Sequence, residues 1–262
     1  MRVEVGGLSI AYERAGSGPT VALAHGFVGD SRSTWRHQID ELSDQFTVVA
    51  WDAPGAGGSS TPPEHFGMDG YADCFAAFLR ALRIDTAHLV GISFGGTMVL
   101  ATFNRHRQLA SSLAILNGYA GWRGSLGAAD AQRRLTRSLE ISELSPAEFA
   151  DAMVPSMFSR SAGHEVVTTF AESVRAFNPA GFRAMATALV EDQSHVLPEV
   201  DVPTLLLCSD HDVRSPVHVT EAMHAGIRQS RLVVLRGPGH VTSVEAPDEV
   251  TSELRHFLSS AG

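Results

Sequence analysis

The sequence contains no lysine, and all 20 of its basic residues are arginine. This absence excludes a Schiff base between an enzyme amine and a carbonyl substrate or pyridoxal phosphate. It also excludes the lysine of a phosphate-binding P-loop. No run of basic residues is present, and the formal net charge is −9. Because nucleic-acid binding depends on clustered cations, we expect no nucleic-acid partner.

Cysteine is also scarce, with two residues, Cys74 and Cys208, far apart in apolar surroundings. Two buried free thiols are therefore favoured over a disulfide. The sequence has no H-E-x-x-H or C-x-x-C pattern, so we expect no metal and no other cofactor. It has no apolar stretch approaching about 18 residues and no signal-like apolar core after Met1, which predicts a cytoplasmic protein without a membrane partner.

The 262 residues are sufficient for one large α/β domain, and 44% of them are hydrophobic. Alternating strand and helix patterns predict a mostly parallel sheet flanked by helices. The predicted strands are 2–6, 8–14, 20–24, 46–51, 87–92, 112–116, 203–208 and 231–235. From 118 to 195 the patterns are helical only, at 126–139, 146–157, 164–177 and 180–191. We therefore predict a core of residues 1–117 and 196–262 with a small helical cap inserted at 118–195.

A sharp turn is predicted between the strand 87–92 and the helix that follows it. The sequence there is Gly91-Ile92-Ser93-Phe94-Gly95, the G-x-S-x-G pattern. Glycines two residues before and after the serine let the strand reverse into a helix, because a Cβ at either position would collide with the turn. Strained turns of this kind present a side chain rather than bury it, so Ser93 is the candidate nucleophile.

A serine nucleophile needs a base, and the base needs an acid that fixes its tautomer. His240 is the candidate base among 12 histidines. It follows the last predicted strand in R-G-P-G-H-V, where Gly237 and Gly239 make a sharp loop, at the edge of the sheet where Ser93 emerges. Seven other histidines are expected to be solvated, on helices or away from this edge: His37, His65, His88, His106, His218, His224 and His256.

Two aspartates follow the penultimate strand, and both are available as the acid. Asp212 is favoured over Asp210 because it lies deeper in the loop, which ends where Ser215-Pro216 opens a helix. Asp210 could instead cap the strand end or bind the loop backbone.

An oxyanion hole requires two backbone N–H groups directed at one point. Phe94, the residue after the nucleophile, supplies one, and the loop His25-Gly26-Phe27 after the third strand makes Phe27 the second donor. The ring of His25 is expected to order this loop rather than to react. The glycine-rich segment 54–58 lacks the spacing and the lysine of a phosphate-binding loop, so it is interpreted as a tight turn.

Together these segments resemble the α/β-hydrolase superfamily over nearly the whole chain, least so in the cap. The resemblance rests on H-G-F at 25–27, D-A-P-G-A-G-G-S at 52–59, G-I-S-F-G-G at 91–96, S-D-H-D-V-R-S-P at 209–216 and G-P-G-H at 237–240. Within the superfamily, the chain is similar to small bacterial carboxylesterases, enol-lactonases and cofactor-free haloperoxidases. The resemblance implies an α/β-hydrolase fold whose eight-stranded sheet has only its second strand antiparallel. A serine at position 93, rather than an aspartate, separates the chain from epoxide hydrolases and dehalogenases.

The predicted reaction is hydrolysis of a small-molecule carboxylic ester or lactone. Ser93 forms an acyl-enzyme, His240 transfers the proton and Asp212 orients His240. The same residues could cleave a C–C bond in a ring-cleavage product, or use peroxide in place of water. A small-molecule receptor that retains the triad is the alternative from another class of protein. The oligomeric state stays open, a homo-oligomer included.

The substrate-binding wall is the least determined part of the predicted site. Its candidates are apolar cap residues and residues of the loops around the triad, although ordinary packing explains any one of them equally well. They are His25, Val28, Tyr119, Trp122, Met153, Met157, Phe158, Val213 and Val241. Cap arginines could recognise a carboxylate, but most are expected to face solvent: Arg123, Arg133, Arg134, Arg137, Arg160, Arg175 and Arg183.

Overall fold

The computed structural model describes residues 1–261, which are organised around an eight-stranded sheet. The strands are β1 Arg2–Val5, β2 Leu8–Ala15, β3 Thr20–Ala24, β4 Thr47–Trp51, β5 Ala87–Ile92, β6 Ala110–Leu116, β7 Thr204–Ser209 and β8 Ser230–Leu235. They lie in the order β1-β2-β4-β3-β5-β6-β7-β8. Only β2 is antiparallel to its neighbours, and the pairs from β3 to β8 are all parallel. The predicted eight-stranded, mostly parallel sheet is confirmed.

Helices cover both faces of the sheet. They are α1 Ser31–Leu42, α2 Gly67–Ala81, α3 Phe94–Arg105, α4 Trp122–Leu126, α5 Ala128–Ile141, α6 Pro146–Met153, α7 His164–Arg175, α8 Pro179–Leu189, α9 Val217–Gly226, α10 Thr242–Glu245 and α11 Pro247–Ser260. Alternate residues of each central strand enter opposite apolar clusters. Leu23 of β3 packs in the cluster with α1 and α11, whereas Ala22 packs in the cluster with α2 and α3. Burial on both faces explains why the central strands are nearly continuous apolar runs.

The segment between β6 and β7 contains helices α4 to α8 and no strand among the described residues. The helix predicted over 126–139 is observed as α5, but it begins two residues later than predicted, because Gly127, with φ of 82°, separates it from α4. The helix predicted over 146–157 ends at Met153 and continues as a 3₁₀ turn, Val154–Ser156. Pro155 lies in this turn and cannot donate the backbone hydrogen bond that an α-helix interior requires. Phe182 of α8 stacks on Phe27, with ring centroids 4.9 Å apart, so this segment lies over the loop after β3.

The prediction that His88 is solvated is wrong. His88 lies in β5 and is buried, with Nδ1 2.8 Å from the Ser112 hydroxyl oxygen in β6. Burial lowers the pKa of His88, so the imidazole is neutral near pH 7. A hydroxyl partner on the neighbouring strand makes this burial tolerable.

Cys74 and Cys208 are both buried and unbonded, as predicted. Burial raises the pKa of the Cys74 thiol to about 12 and that of the Cys208 thiol to about 11. Neither is therefore a thiolate nucleophile near pH 7. Within residues 1–261, no helix has both the length and the apolar character needed to cross a bilayer.

Candidate active site

Ser93 occupies the turn between β5 and α3 with φ of 54° and ψ of −115°. Few non-glycine residues adopt positive φ, so the backbone is strained at this position. The turn is as tight as the sequence predicts. A Cβ on Gly91 would overlap the Gly95 carbonyl oxygen, and a Cβ on Gly95 would overlap the carbonyl oxygen of Ala24 in β3. The tight turn holds the Ser93 hydroxyl at the carboxyl edge of the sheet.

The structure brings Ser93, His240 and Asp212 into one hydrogen-bonded chain. Ser93 Oγ lies 2.9 Å from His240 Nε2, and His240 Nδ1 lies 2.8 Å from Asp212 Oδ2. A carboxylate only accepts hydrogen bonds, so Nδ1 carries the imidazole proton and Nε2 is free to accept one from Ser93. All three residues are buried. The main chain of His240 is held by its N–H, which donates to the Met157 carbonyl at 2.8 Å.

Asp212 receives hydrogen bonds on both carboxylate oxygens. Oδ1 accepts from the backbone N–H groups of Arg214 and Ser215 at 2.7 and 2.9 Å, and Oδ2 accepts from Asn117 Nδ2 at 2.8 Å. Burial by itself would raise the pKa of this carboxyl. Attraction to His240 and the hydrogen bonds outweigh burial, so the pKa of Asp212 is lowered and the group stays ionised near neutral pH.

Asp210, the alternative acid, lies outside this chain of hydrogen bonds. It is exposed, and its Oδ1 accepts from the Gly237 N–H at 2.8 Å. That contact joins the loop after β7 to the loop that carries His240. Asp210 therefore binds loop backbone, the role that the sequence left open for it.

Asn117 is a member of the site that the sequence analysis missed. It follows β6, between the strand that leads to Ser93 and the strand that leads to Asp212. Its φ is 46°, and its Oδ1 accepts a hydrogen bond of 2.8 Å from the Thr242 hydroxyl. The signal was present, since an asparagine before a glycine at a strand end is a residue pair that tolerates positive φ.

His25 orders its loop, as expected, and does not line the cavity at Ser93. Its Nε2 accepts from the Ala53 N–H at 2.9 Å, so Nδ1 carries the proton and faces the Gly26 carbonyl oxygen at 2.5 Å. Burial lowers the pKa of His25, and this effect exceeds the opposing attraction of Asp52 and Asp30. The neutral ring therefore joins the loop after β3 to the loop after β4.

The two predicted oxyanion donors border Ser93 from different loops. Phe94 follows Ser93 in sequence. Phe27 follows Gly26, and a Cβ built on Gly26 would lie 3.7 Å from Ser93 Cβ. Within residues 1–261, neither the Phe27 N–H nor the Phe94 N–H donates to a protein acceptor. Unpaired backbone donors beside a strained serine are available to bind a developing negative charge.

The cavity at Ser93 is small, with a volume of about 20 Å³. This is room for roughly one water molecule. Its lining residues are Gly26, Phe27, Val28, Thr34, Ile92, Ser93, Met157, Phe170, His240 and Val241. Three of the predicted wall residues therefore lie at the cavity: Val28, Met157 and Val241.

The other predicted wall residues lie elsewhere in the structure. They are His25, Tyr119, Trp122, Met153, Phe158 and Val213. Phe158 packs on Phe170, with ring centroids 5.5 Å apart, and the Tyr119 hydroxyl donates to the Arg214 carbonyl at 2.5 Å. Trp122, Met153 and Val213 border a different and larger cavity.

Thr34 and Phe170 line the cavity at Ser93 and were not predicted. Thr34 Oγ1 is buried and has no hydrogen-bond partner within residues 1–261. Both residues also border an open groove of about 660 Å³ between α1 and α7, so they form a wall between that groove and Ser93. The sequence gives no signal for either, because their role depends on how α7 packs against α1.

A family model for the α/β-hydrolase fold matches residues 19–247. The chain belongs to the α/β-hydrolase family. The resemblance stated from the sequence and the fold that it implies are confirmed.

This α/β hydrolase is similar to proteins of more than one activity. Pyrrolizixenacetamide deacetylase from Xenorhabdus hominickii is 28% identical, and the match covers 99% of this chain and 98% of the relative. The karrikin insensitive 2 receptor IA of Petunia hybrida is 30% identical, with coverage of 95% and 94%. The solved structure of a malate-bound thermophilic esterase from Thermogutta terrifontis is 30% identical with a TM-score of 0.92, and the match covers 100% of this chain and 99% of the other.

Proposed function

We propose that this α/β hydrolase cleaves a carboxylic ester or a lactone of a small molecule, with Ser93 as nucleophile, His240 as base and Asp212 as the orienting acid. The observation that carries the proposal is the continuous hydrogen-bonded chain from Ser93 Oγ through His240 to Asp212. Similarity to an esterase and to a deacetylase supports acyl transfer as the reaction class.

In the acylation step, Ser93 Oγ attacks the carbonyl carbon while its proton moves to His240 Nε2. The carbonyl oxygen gains negative charge and binds the N–H groups of Phe27 and Phe94. Asp212 stabilises the imidazolium that forms, because its carboxylate is ionised and hydrogen-bonded to Nδ1. The tetrahedral intermediate then expels the alcohol, which takes the proton from His240 and leaves an acyl group on Ser93.

Deacylation repeats these steps with water. A water molecule gives its proton to His240 and attacks the acyl carbonyl, and collapse of the second tetrahedral intermediate returns the proton to Ser93 Oγ. The products are a carboxylic acid and the free enzyme. A lactone would instead give one hydroxy acid, because its acid and alcohol portions remain joined.

We propose that residues 118–195 act as a cap that controls entry to Ser93. The cavity has a volume of about 20 Å³, which is smaller than an acyl group, so the wall must move for a substrate to bind. Phe170 of α7 is the cap side chain that separates the cavity from the groove along α1. Thr34, whose hydroxyl has no partner in the described residues, is placed to bind a polar atom of the substrate.

A small-molecule receptor is the second candidate function. The observation in its favour is the 30% identity to the karrikin insensitive 2 receptor IA over most of both chains. A receptor and an enzyme could share the same three side chains. They differ in turnover, because a receptor does not release product repeatedly.

The test is a steady-state turnover screen with p-nitrophenyl esters of rising chain length, aryl esters and lactones. If the protein hydrolyses esters, each protein molecule should release many product molecules, and Ser93→Ala should lose that turnover. A single stoichiometric release without further turnover would favour the receptor. Labelling of Ser93 by a fluorophosphonate does not separate the two, since either protein could react.

A further inference from the structure

A second cavity, distinct from the one at Ser93, lies between α5, the end of α6 and the loop that carries Asp212. Its volume is about 390 Å³, which is within the range of pockets that bind small molecules. Its lining includes four arginines and no acidic residue, in a chain whose formal charge is −9. We call it the arginine pocket, and its principal residues are Trp122, Arg133, Arg134, Arg137, Met153, Val213 and Arg214.

Two of the arginines, Arg134 and Arg214, are held in place by neutral groups. Arg134 donates to the Tyr119 hydroxyl at 2.9 Å and to the Arg214 carbonyl at 2.8 Å. Arg214 donates through Nη1 to the Ser156 hydroxyl at 2.8 Å, and its guanidinium lies 5.5 Å from the centre of the Phe27 ring. Each guanidinium therefore has a fixed orientation and keeps nitrogen donors that these contacts do not use.

Neither Arg134 nor Arg214 forms an ion pair with a carboxylate of residues 1–261. The acidic residues nearest on the same helix, Asp130 and Glu140, pair instead with Arg133 and Arg137 at the exposed rim. Burial lowers the pKa of the Arg214 guanidinium and the charge of Arg134 acts in the same direction, against Tyr119 and the Asp212 carboxylate, which lies beyond ion-pair distance. Two fixed cations that repel each other, neither of them paired with a carboxylate, are a site to which an anion would bind favourably.

Apart from Ser138 and Ser156, the remaining lining is apolar. Trp122, Ile141 and Met153 border the cavity, and Val213 is 71% exposed at its edge. Trp122, Ile141 and Met153 are nearly buried, so Val213 offers most of the exposed apolar surface of these four, which an organic acid would cover and an inorganic anion would leave in water. The gain from burying apolar surface adds to the charge interaction.

We propose that the arginine pocket binds a carboxylate that carries an apolar body, with Arg134 and Arg214 holding the carboxylate. The pocket adjoins the active site through Phe27, whose ring carries Arg214 on its face and which also lines the cavity at Ser93. The carboxylate has two sources. It is either the distal acid group of the substrate or a separate organic acid that binds beside the active site.

Binding is measured by titration calorimetry with 4-phenylbutyrate, and 4-phenylbutyramide is the uncharged control. Ser93→Ala protein is used, so the result does not depend on the proposed hydrolysis and its failure would leave that function standing. We expect the amide to bind at least about tenfold more weakly than the acid, since a hydrogen-bonded ion pair is lost. The affinity for the acid should fall at high ionic strength.

Variants then locate the site. Arg134→Gln should weaken the binding of 4-phenylbutyrate by about tenfold or more. Arg134→Lys should weaken it by less, because lysine keeps the charge and loses only the planar arrangement of donors. Arg160→Gln removes an exposed cap arginine outside the pocket and should leave the affinity unchanged. Thermal unfolding shows that each variant is folded. Equal affinity for the acid and the amide in the unsubstituted pocket, or an affinity that Arg134→Gln does not change, would overturn the proposal.

The two sources of the carboxylate are separated with catalytically intact protein. The substrates are p-nitrophenyl hemiglutarate and p-nitrophenyl pentanoate, which differ in a terminal carboxylate. If the carboxylate belongs to the substrate, Arg134→Gln raises the KM for the hemiglutarate ester, relative to the KM for the pentanoate ester, by about tenfold. If it belongs to a separate ligand, the relative KM is unchanged. In that case 4-phenylbutyrate alters the turnover of the pentanoate ester, and Arg134→Gln raises the concentration of 4-phenylbutyrate needed for this effect.

Discussion

Asn117 Nδ2 donates a hydrogen bond of 2.8 Å to Asp212 Oδ2, the same oxygen that binds His240 Nδ1. The asparagine thus connects the end of β6 to the loop after β7. It holds Asp212 in the position from which the carboxylate orients His240. The other end of the amide is fixed by the Thr242 hydroxyl, so rotation of Asn117 is restricted.

Replacing Asn117 with alanine should lower kcat by roughly tenfold while changing KM little. A hydrogen bond to an ionised group contributes about 1.5–3 kcal/mol, and part of that stabilises the imidazolium in the transition state. Asn104→Ala is the matched control, since Asn104 is exposed on α3. Steady-state kinetics on both variants check the prediction, and an unchanged kcat in Asn117→Ala would show that Asp212 does not need this contact.

The two candidate acids should differ sharply in mutant kinetics. Asp212→Asn should lower kcat by roughly 10⁴, because an amide holds the imidazole in the wrong tautomer. Asp210→Asn should cost less than about tenfold, since an asparagine oxygen can still accept from the Gly237 N–H. If the two variants rank in the opposite order, Asp210 is the acid and the structure's contact between Asp212 and His240 does not serve catalysis.

Removing the Phe170 ring should widen the acyl-chain range. Phe170→Ala would join the cavity at Ser93 to the groove between α1 and α7, because Phe170 borders both. We expect the ratio of kcat/KM for octanoate over acetate esters to rise by about tenfold, as a longer apolar chain gains buried surface. Stability should fall by about 3–5 kcal/mol, which thermal unfolding measures.

Phe177→Ala is the comparison for that variant. Phe177 lies in the same part of the chain but borders another cavity, between α7, α8 and the loops after β3 and β4, and does not line the cavity at Ser93. The ratio of kcat/KM for octanoate over acetate esters should change little in Phe177→Ala. An equal rise in both variants would mean that a looser cap, and not the route past Phe170, admits the longer chain.

Thermal stability should fall on strong acidification, in part through Asp212. Its pKa is lowered by folding, so it stabilises the folded state above the unfolded-state pKa of about 4, and that stability is lost as the pH falls through the lower folded-state pKa. Thermal unfolding of the parent protein and of Asp212→Asn, measured from about pH 6 downward, checks this prediction. The unfolding temperature of Asp212→Asn should fall less on acidification, and an equal fall in both proteins would contradict the lowered pKa.

The sequence was sufficient for the sheet because parallel strands buried on both faces leave unambiguous runs. The predicted bounds of β3 and β5 are those observed, Thr20–Ala24 and Ala87–Ile92. The three residues of the hydrogen-bonded chain could also be predicted from the sequence, since each lies in a loop at the carboxyl end of a strand. The burial of His88 could not be predicted, because it depends on the Ser112 hydroxyl on a neighbouring strand.

The walls of the cavity could not be predicted in the same way. Phe158 and Phe170 are both apolar residues in the predicted cap, and only the packing of α7 on α1 brings Phe170 to Ser93. The Arg134 and Arg214 pair depends on contact between α5 and the Asp212 loop, which are 80 positions apart in sequence. Helical periodicity gives which face of a helix is apolar, but not which neighbour that face meets.

The serine mechanism is tested most directly by the turnover of p-nitrophenyl acetate by Ser93→Ala, with Ser252→Ala as control, since Ser252 is an exposed serine of α11. Ser93→Ala should lose turnover by a factor on the order of a million while its circular dichroism and thermal unfolding remain those of a folded protein. Ser252→Ala should keep full activity, and mass spectrometry should find a transient acetyl group on Ser93 of the active protein only. Turnover retained in folded Ser93→Ala would contradict the serine mechanism.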